Sequence, residues 1–167
     1  MNTRPVFFSR LHSPLGTLLL TGDGISLTGL YFDRFDGGEA PQPEADWVEA
    51  PQQFAEAARQ LAEYFSGTRR RFSIPLAPQG TAFQQTVWRA LCSIPHGATR
   101  SYGELAAQIH QPAASRAVGA ANGRNPIAIL IPCHRVIGKN GTLTGYGGGL
   151  ERKRLLLELE GSLLAVA

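Results

Sequence analysis

The sequence predicts an α+β protein in two parts: a small N-terminal unit of antiparallel sheet plus helix over residues 1–79, and a mostly helical, winged helix-turn-helix-like unit over 80–167. Three observations carry this. Short apolar segments at the start of the chain are separated by turn residues, as an antiparallel meander requires. Two capping-box patterns, Thr81-Ala82-Phe83-Gln84 and Ser101-Tyr102-Gly103-Glu104, announce helix starts in the second half. After the second of them come two short helical stretches around a proline and then an Asn-Gly turn, the outline of a helix-turn-helix with a wing.

In chain order, Val6 to Leu11, Gly16 to Leu20 and Ile25 to Phe32 form the meander, with Ser13-Pro14 and Gly22-Asp23-Gly24 between them. Asp36 to Pro51 is rich in Gly, Pro, Glu and Ala, lacks apolar periodicity, and is expected to be a loop. Phe54, Ala57, Ala58, Leu61, Ala62 and Phe65 recur at helical spacing, one face of a helix that stops at Gly67. Phe72 to Leu76 is expected to return as a strand, and Pro75, Pro78 and Gly80 mark a linker. Phe83, Val87 and Leu91 define the first helix of the second part. Leu105, Ala106 and Ile109 define a short helix that breaks at Gln111-Pro112, and another runs from about Ser115 to Asn122. Ile127 to Ile131 reads as a buried strand or extended segment. Asn140-Gly141 is a strong hairpin signal, so Val136 and Ile137 are expected to pair with Leu143 and its neighbours. Gly145 to Gly149 is a backbone-exposed turn, and Leu150 to Leu159 closes the chain as an amphipathic helix.

Composition excludes several classes. With 43% hydrophobic and 17% charged residues, the chain can bury a core. Its longest apolar run falls far short of the roughly 20 residues a membrane-spanning helix needs. The N-terminal segment has no long apolar stretch with a cleavage site, so a cytoplasmic location and no membrane partner are expected. Cys92 and Cys133 form no C-x-x-C pair and no cluster with histidine at ligand spacing, so no metal and no cofactor are expected. Cys92 reads as a core thiol on a helix face, and His12, His96 and His110 as surface or packing residues.

Charge is uneven along the chain. Residues 1–79 hold seven basic against nine acidic residues, whereas 80–167 hold nine against four. Between Tyr64 and Leu150, Glu104 is the only acidic residue, against nine basic ones from Arg69 to Lys139. This is the footprint of a polyanion-binding surface or of an ordinary solvated basic face. Arg116 and Arg124 around the second short helix favour the former.

A thiol at the end of an apolar segment, followed by an imidazole and a guanidinium, is arranged for thiolate chemistry: Cys133-His134-Arg135. Free cysteine is only a few per cent ionised at neutral pH, so a base or a positive neighbour must activate it. From Cys-His alone an inert buried thiol is the simpler reading.

The surrounding residues carry a more specific likeness. Asn125-Pro126-Ile127-Ala128-Ile129-Leu130-Ile131-Pro132-Cys133-His134-Arg135-Val136-Ile137 resembles the active-site signature of the O6-alkylguanine-DNA alkyltransferases. Arg100-Ser101-Tyr102, Ser115-Arg116-Ala117-Val118-Gly119, Tyr146-Gly147-Gly148-Gly149 and Glu160 stand at the family's spacings, and residues 1–79 resemble its variable, RNase H-like N-terminal part in general layout. The resemblance implies irreversible, single-turnover transfer of an alkyl group from O6 of a damaged guanine to Cys133, with O4-alkylthymine as a second candidate substrate. It implies His134 as the base acting through a water, Glu160 as its orienting partner, Tyr102 as donor to guanine N3, and Asn125 as the hinge of the active-site segment. The base pocket is implied at Val136, Tyr146, Gly147 and Gly148, with the Gly147 N–H donating to O6 and the carbonyls of Cys133 and Val136 reading the exocyclic amine. The family often has Ser where this chain has Gly147. The partner implied is double-stranded DNA bound through its minor groove, by a monomer that can cooperate on DNA. The contacts would come from Arg116 as the finger that fills the stack, Tyr102, Ser101, Ala117, Gly119, Ala121, Arg124 and Arg135. A non-enzymatic lesion-binding protein and a helix-turn-helix regulator are the alternatives. The first would lack the acceptor cysteine, and the second would need a dimer interface that the sequence does not display.

Overall fold

The computed structural model describes residues 4–33 and 40–163. Strands β1 (Phe7–Ser13), β2 (Gly16–Gly22) and β3 (Leu27–Phe32) form the meander, β1 pairing with β2 from Phe7↔Gly22 to Ser13↔Gly16. The two-residue strand β4 (Val48–Glu49) adds to β1 in parallel and completes the sheet in the order β3-β2-β1-β4. The segment read as a loop over 36–51 therefore contains a strand; its residues 36–39 lie outside the described residues. β4 forms because the chain is held there by apolar contacts, with Ala50 buried and the Trp47 ring 6.3 Å from that of Phe8.

A 3-10 turn, Pro51–Phe54, leads into α1 (Ala55–Phe65), which ends at Gly67 with φ +81°. Its buried face differs from the apolar reading: Ala57, Gln60, Leu61 and Tyr64 are buried, whereas Ala62 is exposed. A polar side chain goes inside when its bonds are made there. Gln60 donates to Ser73 Oγ at 2.9 Å and accepts from the Ser73 amide at 2.9 Å. Phe72 to Leu76 is no strand; it makes one parallel bridge, Leu27↔Leu76.

Helix α2 (Ala82–Cys92) starts at a complete capping box on Thr81 and Gln84, and α3 (Tyr102–Gln108) at another on Ser101 and Glu104. Each box satisfies two orphan amides, worth about 1 kcal/mol. Helix α4 (Ser115–Gly123) packs on α2 and α3. The buried Trp88 indole donates to the Ala121 carbonyl at 2.9 Å, pinning α2 to α4. Cys92, expected in the core, is exposed.

Two expectations for the segment after α4 are corrected. Ile127 to Ile131 is buried but folds as a tight turn, with Ile129 at φ +73°, and is attached to the sheet by the bridge Leu30↔Ile127. The strand β6 (Val136–Ile137) pairs in parallel with β5 (Arg100–Ser101), not with Leu143. The intended ribbon is cut short because the chain turns at once: Gly138 N–H donates to the Thr142 carbonyl at 2.8 Å. Helix α5 (Leu150–Leu159) ends the described fold. One core cluster runs from Leu18 in the sheet through Trp88 and Ile127 to Leu156 in α5. No helix among the described residues is long and apolar enough to cross a membrane.

Candidate active site

Cys133 opens a one-turn 3-10 helix, Cys133–Arg135, directly after the Ile127–Ile131 turn. Asn125 holds that turn from both ends: Nδ2 donates to the Ile131 carbonyl at 2.8 Å, and Oδ1 accepts from the Ile127 amide at 3.0 Å. A single side chain thereby replaces backbone bonds that a strand would have supplied. Asn122 Nδ2 donates to the Cys133 carbonyl at 3.4 Å.

The thiol is 6% exposed and faces a cavity of about 30 Å³ lined also by Phe32, Asn122, Asn125, Tyr146, Gly147 and Gly148. Outside this lies a wider cleft of about 600 Å³, bounded by Tyr102, Gly119, Thr144 and Leu150, which shares Asn122, Tyr146 and Gly147 with the inner cavity. The outer cleft has the size of a small-molecule site, and the inner one takes little more than a small group. Gly148 is required by close approach, because a Cβ there would sit 2.5 Å from the Phe32 ring.

The imidazole of His134 is fully buried, and its Nε2 lies 2.8 Å from Glu160 Oε1. Glu160 also accepts from Arg135 Nε at 2.9 Å, Arg135 Nη2 at 2.8 Å and the Tyr64 hydroxyl at 2.7 Å. Burial by itself raises the Glu160 carboxyl, yet the bonds and charges of His134 and Arg135 outweigh it and hold the group well below the usual carboxylate range. His134 Nδ1 is buried, with no hydrogen-bond partner among the described residues. Glu160 thus fixes the tautomer, with the proton on Nε2 and the lone pair on Nδ1. Burial pushes His134 below its ordinary value against the pull of Glu160, so it is neutral at pH 7 and able to accept a proton. Burial pushes the Cys133 thiol up, opposed by the Asn125 hydrogen bond and the charge of Lys153.

Lys153 was not foreseen. It is fully buried on α5, and its Nζ donates to the carbonyls of Val136 at 2.6 Å and Thr144 at 2.7 Å; burial draws it down to about 8. It joins the turn after the thiol to the loop before α5, and it brings a positive charge toward Cys133. The Val136 carbonyl, expected to read a base, already accepts this bond and retains its second lone pair.

The remaining predicted residues fall into three groups. Tyr102 stands where the outer cleft meets a surface groove of about 1020 Å³ lined by Arg100, Ser101, Ser115 and Lys139, and its hydroxyl accepts from Thr144 Oγ1 at 3.2 Å. Arg116, Ala117 and Arg124 are exposed along α4, and a Cβ on Gly119 would make ordinary contact with the Tyr102 ring. The Ser101 hydroxyl is committed to capping α3. Two of the residues expected to touch DNA are buried in this structure. Arg135 is 7% exposed, and its guanidinium is held inward by bonds to both oxygens of Glu160 and to the Ile94 carbonyl. Ala121 is 3% exposed and packs inward on α4. Among the described residues no group of histidine, cysteine and carboxylate side chains could hold a metal ion.

Comparison with known proteins places this geometry. Residues 6–78 match the profile of the 6-O-methylguanine DNA methyltransferase ribonuclease-like domain, and residues 82–162 that of the same family's DNA binding domain. The chain is 52% identical over 157 residues to a methylated-DNA--protein-cysteine methyltransferase of Methanosarcina acetivorans, covering 94% of this chain and 99% of that one. It is equally 52% identical to the Mycobacterium tuberculosis protein of that name over 94% of this chain and 93% of the other. The crystal structure of Mycobacterium tuberculosis OGT in complex with DNA superposes with a TM-score of 0.86 at 51% identity, covering 93% of each chain. With the predicted α+β fold found as well, the chain belongs to the 6-O-methylguanine DNA methyltransferase family, the methylated-DNA--protein-cysteine methyltransferases.

Proposed function

We propose that Cys133 is the cysteine on which this chain performs its family's reaction, direct-reversal repair of alkylated DNA by transfer of the alkyl group to protein. One observation carries the assignment. Of the two thiols, Cys133 lies at the bottom of a cleft beside a histidine whose free nitrogen is buried and unpartnered, whereas Cys92 is exposed on another face. In the reaction, His134 Nδ1 takes the thiol proton through a water, the sulfur forms a bond to the alkyl carbon, and the C–O6 bond breaks with its electron pair going to guanine. Tyr102 supplies a proton or hydrogen bond at N3, the Gly147 amide steadies O6, and Glu160 steadies the imidazolium. The thioether does not turn over, so each molecule acts once.

A base in a duplex cannot reach a buried sulfur, so the lesion enters as a flipped nucleotide at an unstacking cost of a few kcal/mol. Arg116, exposed on α4, fills the stack, while Ala117 and Gly119 let the helix approach the minor groove. Residues 80–167 carry binding and transfer, and residues 1–79 are their scaffold. The protein acts as a monomer, in the reducing cytoplasm where Cys133 stays a thiol.

Mass spectrometry after mixing with an oligonucleotide containing one O6-methylguanine tests this. The expected result is one methyl group per molecule, located on the Cys133 peptide and absent in Cys133→Ala, which still binds the lesion. Binding without any mass change would make the chain a lesion-binding protein, and a methyl group on another residue would move the acceptor.

A further inference from the structure

The N-terminal part reaches the His134–Glu160 pair with a side-chain hydroxyl. Tyr64, from the last turn of α1, is 1% exposed, and its hydroxyl meets Glu160 Oε1 at 2.7 Å. The same oxygen accepts from His134 Nε2 and from Arg135 Nη2, both at 2.8 Å, while Oε2 accepts from Arg135 Nε at 2.9 Å. We propose that Tyr64 is a positioning residue for alkyl transfer, its hydroxyl locking the Glu160 carboxylate so that His134 is held through Nε2 with Nδ1 left free as the base. This rests on the reading of His134 as the base.

Packing alone does not call for a hydroxyl here. The Tyr64 ring is surrounded by those of Phe65 at 5.3 Å, Phe72 at 5.4 Å and His96 at 6.2 Å, and phenylalanine would fill the same space. Burying the oxygen is costly unless it is bonded, and the bond is made to Glu160. Tyr64 is the donor in that bond, because burial and the neighbouring carboxylate push its ionisation far up and a carboxylate can only accept.

Sharing Oε1 among three donors spreads its negative charge. Without the Tyr64 hydroxyl, more of that charge falls on the His134 bond, the imidazolium is better stabilised, and the histidine holds its proton to higher pH. The other groups facing His134 are Arg135 from its own turn and Lys153 from α5, both of which oppose its protonation, and Glu160, which favours it. His96 packs edge-on against the Tyr64 ring and is itself within reach of the charges of Glu160, Arg135 and Arg70.

The test is the pH dependence of the single-turnover transfer rate to an O6-methylguanine oligonucleotide, in the full chain, for wild type, Tyr64→Phe and His134→Gln. Final methyl incorporation gives the active fraction, so rates refer to folded molecules. Tyr64→Phe is expected to move the acid limb up by about half a unit to one unit, lowering the rate about threefold to tenfold at pH values well below the wild-type limb while rates above pH 8 stay within about twofold. Fluorotyrosine placed at position 64 alone, nearly isosteric and a stronger donor, is expected to move the limb the other way, and it serves where the phenylalanine variant fails to fold. A Tyr64→Phe profile that overlays wild type, or that falls equally at every pH, overturns the proposal while the His134 reading stands. If His134→Gln keeps the wild-type acid limb, the base is elsewhere and the proposal falls with that reading.

Discussion

At the scale of single residues, burial acts in opposite senses on the two partners of the transfer site. It raises the thiol of Cys133 and lowers the imidazole of His134, so both rest neutral at pH 7. A buried neutral thiol is a poor target for soluble reagents. Iodoacetamide is therefore expected to label Cys92 well before Cys133 in the free protein, as read by peptide mass spectrometry; equal rates would mean that the inner cavity is open. The same shifts set a stability profile. The folded Glu160 carboxyl lies below its unfolded value of about 4.3, so its contribution is complete above that pH and is lost as pH falls toward the folded value. His134 is lowered, so the unfolded chain binds its proton first, and stability begins to drop below about pH 6.5. In urea titrations, His134→Gln is expected to remove this upper limb. Glu160→Gln is expected to cost about 3–5 kcal/mol at pH 7, because Arg135 is left buried without its anion. A loss below about 1 kcal/mol would show that the guanidinium finds solvent instead. Lys153 and Glu160 were half-legible in the sequence: they stand at i and i+7 on the face that buries Leu156 and Leu157. Charged residues at core positions of a helix are the signal of a buried polar network, and it was overlooked for Lys153 because lysine is ordinarily read as surface.

At the scale of elements, α4 divides its work between two faces. Val118, Ala121 and Asn122 face the protein, and Arg116, Ala117 and Arg124 face solvent. Arg116 is expected to matter only where a stack must be refilled. Arg116→Ala should slow reaction with duplex O6-methylguanine at least tenfold and reaction with free O6-benzylguanine less than twofold; equal losses would make its role structural. The starts of α2 and α3 were legible, because Thr81-Gln84 and Ser101-Glu104 are local signals that need no tertiary context. The Ile127 to Ile131 turn was not, because its composition is that of a buried strand. Its course depends on one side chain, Asn125, and on a left-handed Ile129, which spacing does not reveal. The pairing of β6 with β5 was hidden for the related reason that an Asn-Gly turn predicts a local partner, whereas the observed one lies 36 positions earlier in register at Arg100↔Val136.

At the scale of the molecule, the two family-matched regions share one interior. The sheet strand β3 bridges to the active-site turn, where Leu30 N–H donates to the Pro126 carbonyl at 2.9 Å and Ala128 N–H to the Leu30 carbonyl at 3.1 Å. Phe32 meets Tyr146 edge-on at 6.0 Å, and the Arg152 guanidinium lies 4.9 Å from the Phe32 ring centroid while donating to the Leu15 carbonyl at 2.8 Å. With the Tyr64–Glu160 bond added, these contacts tie the thiol's surroundings to strands and helix more than 90 residues earlier in the chain, Tyr64 and Glu160 being 96 apart. A core that is continuous across both regions unfolds as one unit. The two tryptophans make this measurable, since Trp47 lies beside the sheet and Trp88 beneath α4. In urea, fluorescence of Trp47→Phe, which reports Trp88 alone, is expected to share its midpoint with wild-type fluorescence and with far-UV ellipticity. A separate, earlier transition sensed only when Trp47 is present would mean that the N-terminal region opens independently, and the active-site turn would then have to hold its shape without the Leu30 bridge.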